Sequence, residues 1–175
     1  DELLVLTTTA LYRLIWDVEG TGWTHTLVQQ NLHVTEADTY LSCVIKNMFF
    51  FKSRDYYYLM VPKTASATGI RGEVTIAPIS KPIEGLLSDF HNNIADLAHV
   101  ISDNGMPENF TENLVNYFSY VDNTKIVVNY VYALDEASIE TSRYLYVQLI
   151  YDTDLRTWTI RMFEAAHMLY ASHID

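Results

Sequence analysis

The sequence has few of the residues that cross-link a chain or break it sharply. Among 175 residues there is a single cysteine, Cys43, with four prolines and six glycines. One cysteine excludes an internal disulfide and a cysteine-based metal site. Because its neighbours in YLSCVIKN alternate in the manner of a strand, we expect Cys43 to be a buried structural thiol rather than a nucleophile. The fold must therefore rest on noncovalent packing.

Long hydrophobic runs are also missing. Although 49% of the residues are hydrophobic, no run reaches the roughly 18 to 20 residues that a membrane-spanning helix needs, so no membrane segment is expected. The length suits one ordinary core, or one core with an appended lobe. The sequence opens within a strand-like stretch, LLVLTT, and we interpret it as a piece of a longer polypeptide.

Basic residues are scarce. The chain has 11 Lys and Arg against 22 Asp and Glu, for a net charge of -11. Between residues 84 and 140, ten acidic side chains are balanced by Lys125 alone. Proteins that hold nucleic acid tightly neutralise its phosphates with Lys and Arg. The composition therefore disfavours tight binding of DNA or RNA.

Motifs for catalysis and for metal binding are missing as well. The sequence has neither a phosphate-binding glycine loop nor a nucleophile elbow. His91 and His99 lie eight residues apart, not at the one-turn spacing that aims two imidazoles at one metal. Asp17 and Asp152 are better explained as turn residues than as paired catalytic carboxylates. We therefore predict no enzyme activity, cofactor or metal.

What the sequence does contain is a repeat. The stretch LIWDVEGTGWT, residues 14–24, returns as LIYDTDLRTWT, residues 149–159. The alignment matches Asp17 with Asp152 and Trp23 with Trp158. Two strands joined by a tight turn produce this pattern, with the Asp in the turn and the Trp opening the second strand. We expect the two Trp side chains to pack between sheets.

The periodicity divides the chain into three parts. Residues 1–81 and 123–175 alternate with a period of two and are rich in strand-forming residues, which predicts antiparallel strands joined by short connections. One hairpin signal is FFFKSRDYYYLM, residues 49–60, in which runs of Phe and Tyr flank a Ser-Arg-Asp turn. Residues 82–122 lack this alternation, and we interpret them as a helical insertion.

The insertion is predicted to be a helical hairpin. Apolar residues recur at helical spacing from Ile83 to Ile101. The opposite face of this helix carries Asp89, Asp96 and Asp103, an acidic stripe that faces either a lumen or solvent. A second helix is predicted from near Pro107, with its apolar face formed by Phe110, Leu114, Phe118 and Val121.

The spacing of the repeat indicates the architecture. Asp17 and Asp152 stand 135 residues apart. If an insertion of roughly 40 residues is subtracted from this distance, the remainder is about two repeats of the roughly 40 to 50 residues that are common for a propeller blade. The predicted fold is thus mainly β, with antiparallel propeller-like blades and a helical hairpin. A sandwich of antiparallel sheets is the alternative.

The segments LIYDTDLRTWT, YYYLMVP and VTIAPISKPIEGLLSDF resemble the propeller-containing tail nozzle, or muzzle, proteins of short-tailed bacteriophages. The resemblance covers most of the chain except the second predicted helix and its flanks. It implies a structural virion protein in the tail, without catalytic residues, that self-associates into a ring, usually a hexamer, below the head-tail adaptor. DNA would pass through the channel of this ring during ejection without being held, and acidic walls would repel its phosphates.

Two other classes of function stay open on the sequence. One is a receptor- or carbohydrate-binding β domain, in which exposed Tyr and Trp side chains stack on sugars. The other is a propeller hydrolase, which requires converging carboxylates that the sequence does not display.

Overall fold

The computed structural model describes residues 2–16, 22–62, 74–87, 113–133 and 144–165. Within these residues the chain is mainly antiparallel β, as the alternation predicts, with eleven strands in three sheets. The chain divides into two compact units, Asp1–Lys81 and Pro82–Asp175.

The first sheet is a meander of three antiparallel strands in the order β1-β2-β3. The strands are β1 (Glu2–Leu6), β2 (Ala10–Trp16) and β3 (Trp23–Gln30). The register between β2 and β3 shifts between Leu11 and Tyr12, where a bulge interrupts the ladder. Such bulges increase the local twist of a sheet.

The second sheet is a meander of four antiparallel strands in the order β4-β5-β6-β7. The strands are β4 (Cys43–Ile45), β5 (Met48–Ser53), β6 (Tyr56–Pro62) and β7 (Val74–Pro78). The hairpin predicted from FFFKSRDYYYLM is confirmed, because β5 and β6 pair around a turn in which Arg54 has a φ of 54°.

The first and second sheets share one hydrophobic core. Buried side chains from β2, β5 and β6 meet there with two residues that follow β3; they are Leu11, Phe51, Met60, Leu32 and Val34. The backbone N–H of His33 donates to Ser53 Oγ at 2.9 Å, and the backbone N–H of Arg54 donates to His33 O at 2.9 Å. These bonds join the segment after β3 to the β5–β6 turn and satisfy backbone groups that leave the ladders.

The third sheet, in the second unit, is a meander of four antiparallel strands in the order β8-β9-β10-β11. The strands are β8 (Asn113–Asp122), β9 (Lys125–Ala133), β10 (Tyr144–Asp152) and β11 (Thr157–Ala165). Successive residues of β9 and β10 are buried, so both faces of the two central strands are covered. This explains their nearly continuous apolar sequences.

Strand β8 corrects the predicted helical hairpin. The helical spacing predicts a second helix with Leu114, Phe118 and Val121 on one face, but these residues lie in a strand that pairs with β9. Phe110, the other residue of that predicted face, lies outside the described residues. Aromatic and β-branched residues are enriched here, and pairing with β9 through a two-residue turn decides in favour of a strand. The turn begins at Asn123, which has a φ of 53°. Of the first predicted helix, only one turn, at residues 84–87, is described.

A buried ion pair fixes the turn that precedes the second sheet. The 3-10 turn Ala37–Leu41 carries Asp38, whose Oδ1 lies 2.6 Å from Lys52 Nζ on β5. Asp38 Oδ2 accepts hydrogen bonds of 2.8 Å from the backbone N–H and the hydroxyl of Thr35. Burial alone raises the pKa of Asp38, but the bonds from Lys52 and Thr35 and the Lys52 charge outweigh it, so the pKa lies below its usual value.

Replacing Asp38 by Asn should destabilise the protein, because it leaves the Lys52 ammonium without its carboxylate. We expect the free energy of unfolding at pH 7 to fall by about 3 kcal/mol, measured by urea denaturation. Asp55→Asn, at an exposed position of the β5–β6 turn, is the matched control and should change it little.

The same variant tests the pKa of Asp38. Since this pKa is lower in the folded state, its contribution is present above the unfolded pKa of about 3.9 and is lost as the pH falls through the folded value. The wild type should therefore lose more stability than Asp38→Asn between pH 5 and pH 2. Parallel pH profiles of the two proteins would contradict the assignment.

Candidate functional site

Both copies of the sequence repeat fold as β-hairpins with the same register. In the first copy Trp16 lies opposite Trp23, at the end of β2 and the start of β3. In the second copy Tyr151 lies opposite Trp158, at the end of β10 and the start of β11. The pairs further along also correspond: Ile15 with Thr24 and Ile150 with Thr159. The hairpins β2–β3 and β10–β11 are therefore equivalent.

Asp152 shapes the turn of the second copy. Its Oδ1 accepts the backbone N–H groups of Asp154 and Leu155, both at 2.9 Å. Its carbonyl accepts the N–H of Arg156 at 2.7 Å, and Arg156 has a φ of 56°. This is an Asp-capped turn of the kind predicted from the sequence. Asp17, its counterpart in the first copy, lies outside the described residues.

The two copies differ in how their aromatic pair is covered. Tyr151 is 4% exposed, and Trp158 is half-buried with its ring centroid 5.0 Å from that of Tyr151. In contrast, Trp16 is 41% and Trp23 is 48% exposed. The prediction that Trp23 packs between sheets is therefore wrong. Its sheet uses the opposite face for the core.

Trp16 and Trp23 belong to an exposed face of the first sheet, which we call the aromatic face. By register it comprises eight side chains from the three strands: Leu3, Val5, Tyr12, Leu14, Trp16, Trp23, His25 and Leu27. Leu3 and Leu27, at its two edges, are about as exposed as the two Trp residues. The other face turns Leu4, Leu6, Leu11 and Val28 into the shared core.

The aromatic pairs on this face meet edge to face. The ring centroids of Trp16 and Trp23 are 5.4 Å apart with an interplanar angle of 69°. Those of Tyr12 and His25 are 6.5 Å apart at 65°. This geometry matches the preferred arrangement of aromatic quadrupoles. The pairs thus hold the exposed rings in place on the sheet.

The chemistry of the aromatic face favours apolar contact over catalysis. None of its eight residues is Asp, Glu, Lys or Arg, so it offers neither a pair of carboxylates nor a charged anchor. Contiguous exposed apolar surface rimmed by polar residues marks an interaction site. The face is suited to packing against another protein surface.

Other candidate sites receive no support from the described part of the chain. Among those residues, no group of three His, Cys, Asp or Glu side chains is placed to hold a metal ion. No described helix is long and apolar enough to cross a membrane. The acidic stripe of Asp89, Asp96 and Asp103 lies outside the described residues and stays a prediction.

Sequence reasoning missed the aromatic face, although a signal for it exists. Strand β2, ALYRLIW, carries large apolar residues at both odd and even positions, which is typical of a strand whose two faces are both apolar. Strand β3 alternates Trp23, His25 and Leu27 with Thr24 and Thr26. Only the packing of the opposite face on the core shows which apolar face is left exposed.

Comparison with known proteins assigns no family to this chain. No protein-family model matches it. It also has no significant match among curated proteins or solved structures.

Substitution of Asp152 by Ala should loosen the β10–β11 turn, because two backbone N–H groups lose their acceptor. We expect the free energy of unfolding to fall by about 1 kcal/mol, measured by urea denaturation. Asp152→Asn keeps an acceptor oxygen at the same place and should retain most of the stability. Equal losses in both variants would show that the carboxylate charge, not the turn, is responsible.

The Trp16–Trp23 contact should be measurable as a coupling energy. A double-mutant cycle with Trp16→Ala and Trp23→Ala should give an interaction of about 1 kcal/mol. The control cycle combines Leu3→Ala with Trp23→Ala, two residues on strands separated by β2, and should be additive. Additivity in the Trp cycle would mean that the two rings do not hold each other.

Proposed function

We propose that this chain is a structural, non-enzymatic subunit of a larger assembly, of the tail nozzle type that its sequence resembles. The observation that carries the proposal is the aromatic face, an uncharged apolar surface on a chain whose net charge is -11. Covering the exposed apolar residues of a sheet face with another protein surface lowers the free energy, because their apolar surface is removed from water. In the proposed role, each subunit packs this face against a neighbour in a ring.

The order of the sheets supports a blade-like organisation. The second and third sheets are four-stranded antiparallel meanders that follow one another in the chain, and propeller blades are four-stranded sheets of this kind. The equivalent hairpins β2–β3 and β10–β11 form the last two strands of the first and third sheets. The second sheet lies between them in sequence, which agrees with a spacing of two repeats. We propose a propeller-like arrangement in the assembled protein.

The charge supports a role in DNA passage rather than DNA binding. A wall that repels phosphate lets a duplex slide, whereas Lys and Arg hold it through release of counterions. In the proposed nozzle, Asp89, Asp96 and Asp103 face the lumen or solvent. The partners would be further copies of the chain, other tail proteins and the head-tail adaptor, in the tail of the virion.

A carbohydrate- or receptor-binding β domain is the second candidate, and the exposed rings of Trp16 and Trp23 favour it. Sugars stack on open aromatic faces but also need polar side chains to bind their hydroxyl groups. The aromatic face supplies Tyr12 and His25 for this purpose and no carboxylate or amide. Protein–protein packing therefore accounts better for its composition.

The proposed assembly depends on the aromatic face, so a charge placed there should weaken it. We expect Trp16→Lys and Trp23→Lys each to weaken self-association by about thirtyfold, the effect of losing an interface hot spot of about 2 kcal/mol. Mass photometry over a concentration series measures the oligomer fraction, and negative-stain imaging shows whether rings form. Val44→Lys, at an exposed apolar residue of β4, is the control and should assemble as the wild type does.

Two outcomes would contradict the proposal. One is that the Trp variants and the wild type have the same oligomer distribution. The other is a wild type that stays monomeric while it binds sugars on a glycan array and loses this binding when Trp23 is replaced. The second result would establish the carbohydrate-binding alternative.

A further inference from the structure

The third sheet consists of two hairpins that meet at the β9–β10 pairing. A two-residue turn, residues 123–124, joins β8 to β9, and a four-residue turn, residues 153–156, joins β10 to β11. Turns this short fix which residues of their two strands lie opposite each other. The connection between β9 and β10 is residues 134–143, and at this length one or two residues more or less change the entropy of loop closure very little. The β9–β10 register therefore has to come from the strands themselves.

The usual determinant of register, alternation between a buried and an exposed face, is missing from this pairing. Strands β6 and β7 are also joined by a long connection, residues 63–73, but β7 alternates between half-buried and exposed side chains. A one-residue shift there would turn Val74 and Ile76 outward. In contrast, the side chains of residues 126–132 in β9 and of residues 145–149 in β10 are all buried. A shift of β10 against β9 would therefore still place apolar side chains on both faces.

One amide side chain interrupts the apolar and aromatic residues of each buried stretch, and the two amides lie opposite each other. Asn129 is 1% and Gln148 is 8% exposed, and they form a register pair. Gln148 Nε2 donates to Asn129 Oδ1 at 2.8 Å. A one-residue shift would place an apolar residue, Val147 or Leu149, opposite Asn129, and Gln148 would then lie on the other face. A two-residue shift would make the two amides diagonal neighbours, about 7–8 Å apart.

The amide pair is poorly explained as a source of stability. Asn129 Nδ2 is buried and has no hydrogen-bond partner among the described residues, and a buried donor without an acceptor costs free energy. Two apolar side chains of similar volume would fill the same space without this cost. The effect of the pair lies in the alignments that it disfavours, because only the native register places the two amides directly opposite each other.

We propose that the Asn129–Gln148 pair sets the register between the two hairpins of the third sheet. It selects one alignment against others of similar apolar burial, as a single buried polar residue selects the register of a coiled coil. Bonds at one end of the sheet add to it, because the backbone N–H and the hydroxyl of Thr153 donate to Thr124 O at 3.0 and 2.7 Å. Those bonds lie in the turns, whereas the amide pair lies in the middle of the strands. The proposal concerns the chain by itself and does not depend on the nozzle function.

The test removes both amides from the full 175-residue chain. Asn129→Val combined with Gln148→Met replaces them with apolar side chains of similar volume. We expect this double variant to fold with a urea midpoint at least equal to that of the wild type, but to populate a second register in about 10% of the molecules. NMR would show doubled amide signals in β8–β11 and cross-strand NOEs of a shifted register, whereas the signals of the first two sheets stay single.

The single variants and an exchange variant serve as controls. Asn129→Val or Gln148→Met alone leaves one buried amide without its partner and should raise the equilibrium constant of unfolding about tenfold. The matched control exchanges the two residues, Asn129→Gln with Gln148→Asn, and so keeps a directly opposed amide pair. We expect the exchange variant to show one set of signals and the wild-type register.

Three outcomes would overturn the proposal. If the double apolar variant keeps the wild-type register alone, the packing of the strands or the Thr124–Thr153 bonds are sufficient to set it. If the double variant does not fold, the pair is needed for stability rather than for register. If the exchange variant also shows doubled signals, any change at these two positions disturbs the sheet, and the loss of the amide bond is not the cause.

Discussion

The pairing of backbone N–H and C=O groups between consecutive strands is the constraint on which the rest of this structure depends. Each strand in the described sheets pairs with its neighbour in sequence, through an antiparallel ladder. This keeps the pairing local, which suits a chain with no disulfide and few glycines. It also leaves two edge strands in each of the three described sheets.

The sheets differ in how far their two faces are buried. The central strands of the third sheet are buried on both faces, and there Gln148 Nε2 donates to Asn129 Oδ1 at 2.8 Å. This bond satisfies one donor and one acceptor in an apolar layer, whereas the buried Asn129 Nδ2 has no hydrogen-bond partner among the described residues. The first sheet buries one face and exposes the other. The equivalent aromatic pairs therefore have different environments. Tyr151 and Trp158 lie on a covered face, whereas Trp16 and Trp23 lie on an exposed one.

Local signals and tertiary pairing disagree at one place. Leu114, Phe118 and Val121 satisfy helical spacing, yet the same stretch has five aromatic or β-branched residues and ends at a turn before β9. Short apolar runs fit both periods, and the available strand partner decides between them. In the β5–β6 hairpin the turn chemistry and the aromatic runs agree, so the sequence was sufficient there.

The sequence by itself determined the antiparallel β class, the β5–β6 hairpin, the repeated Asp-turn-Trp unit and the acidic charge, because these depend on alternation, turn residues and composition. Only the tertiary structure decided that β8 is a strand and that Trp23 is exposed. The reason is physical. The alternation of side chains between the two faces of a strand follows from its own sequence, but which face is covered and which edge is paired depend on the residues that other strands bring to that strand.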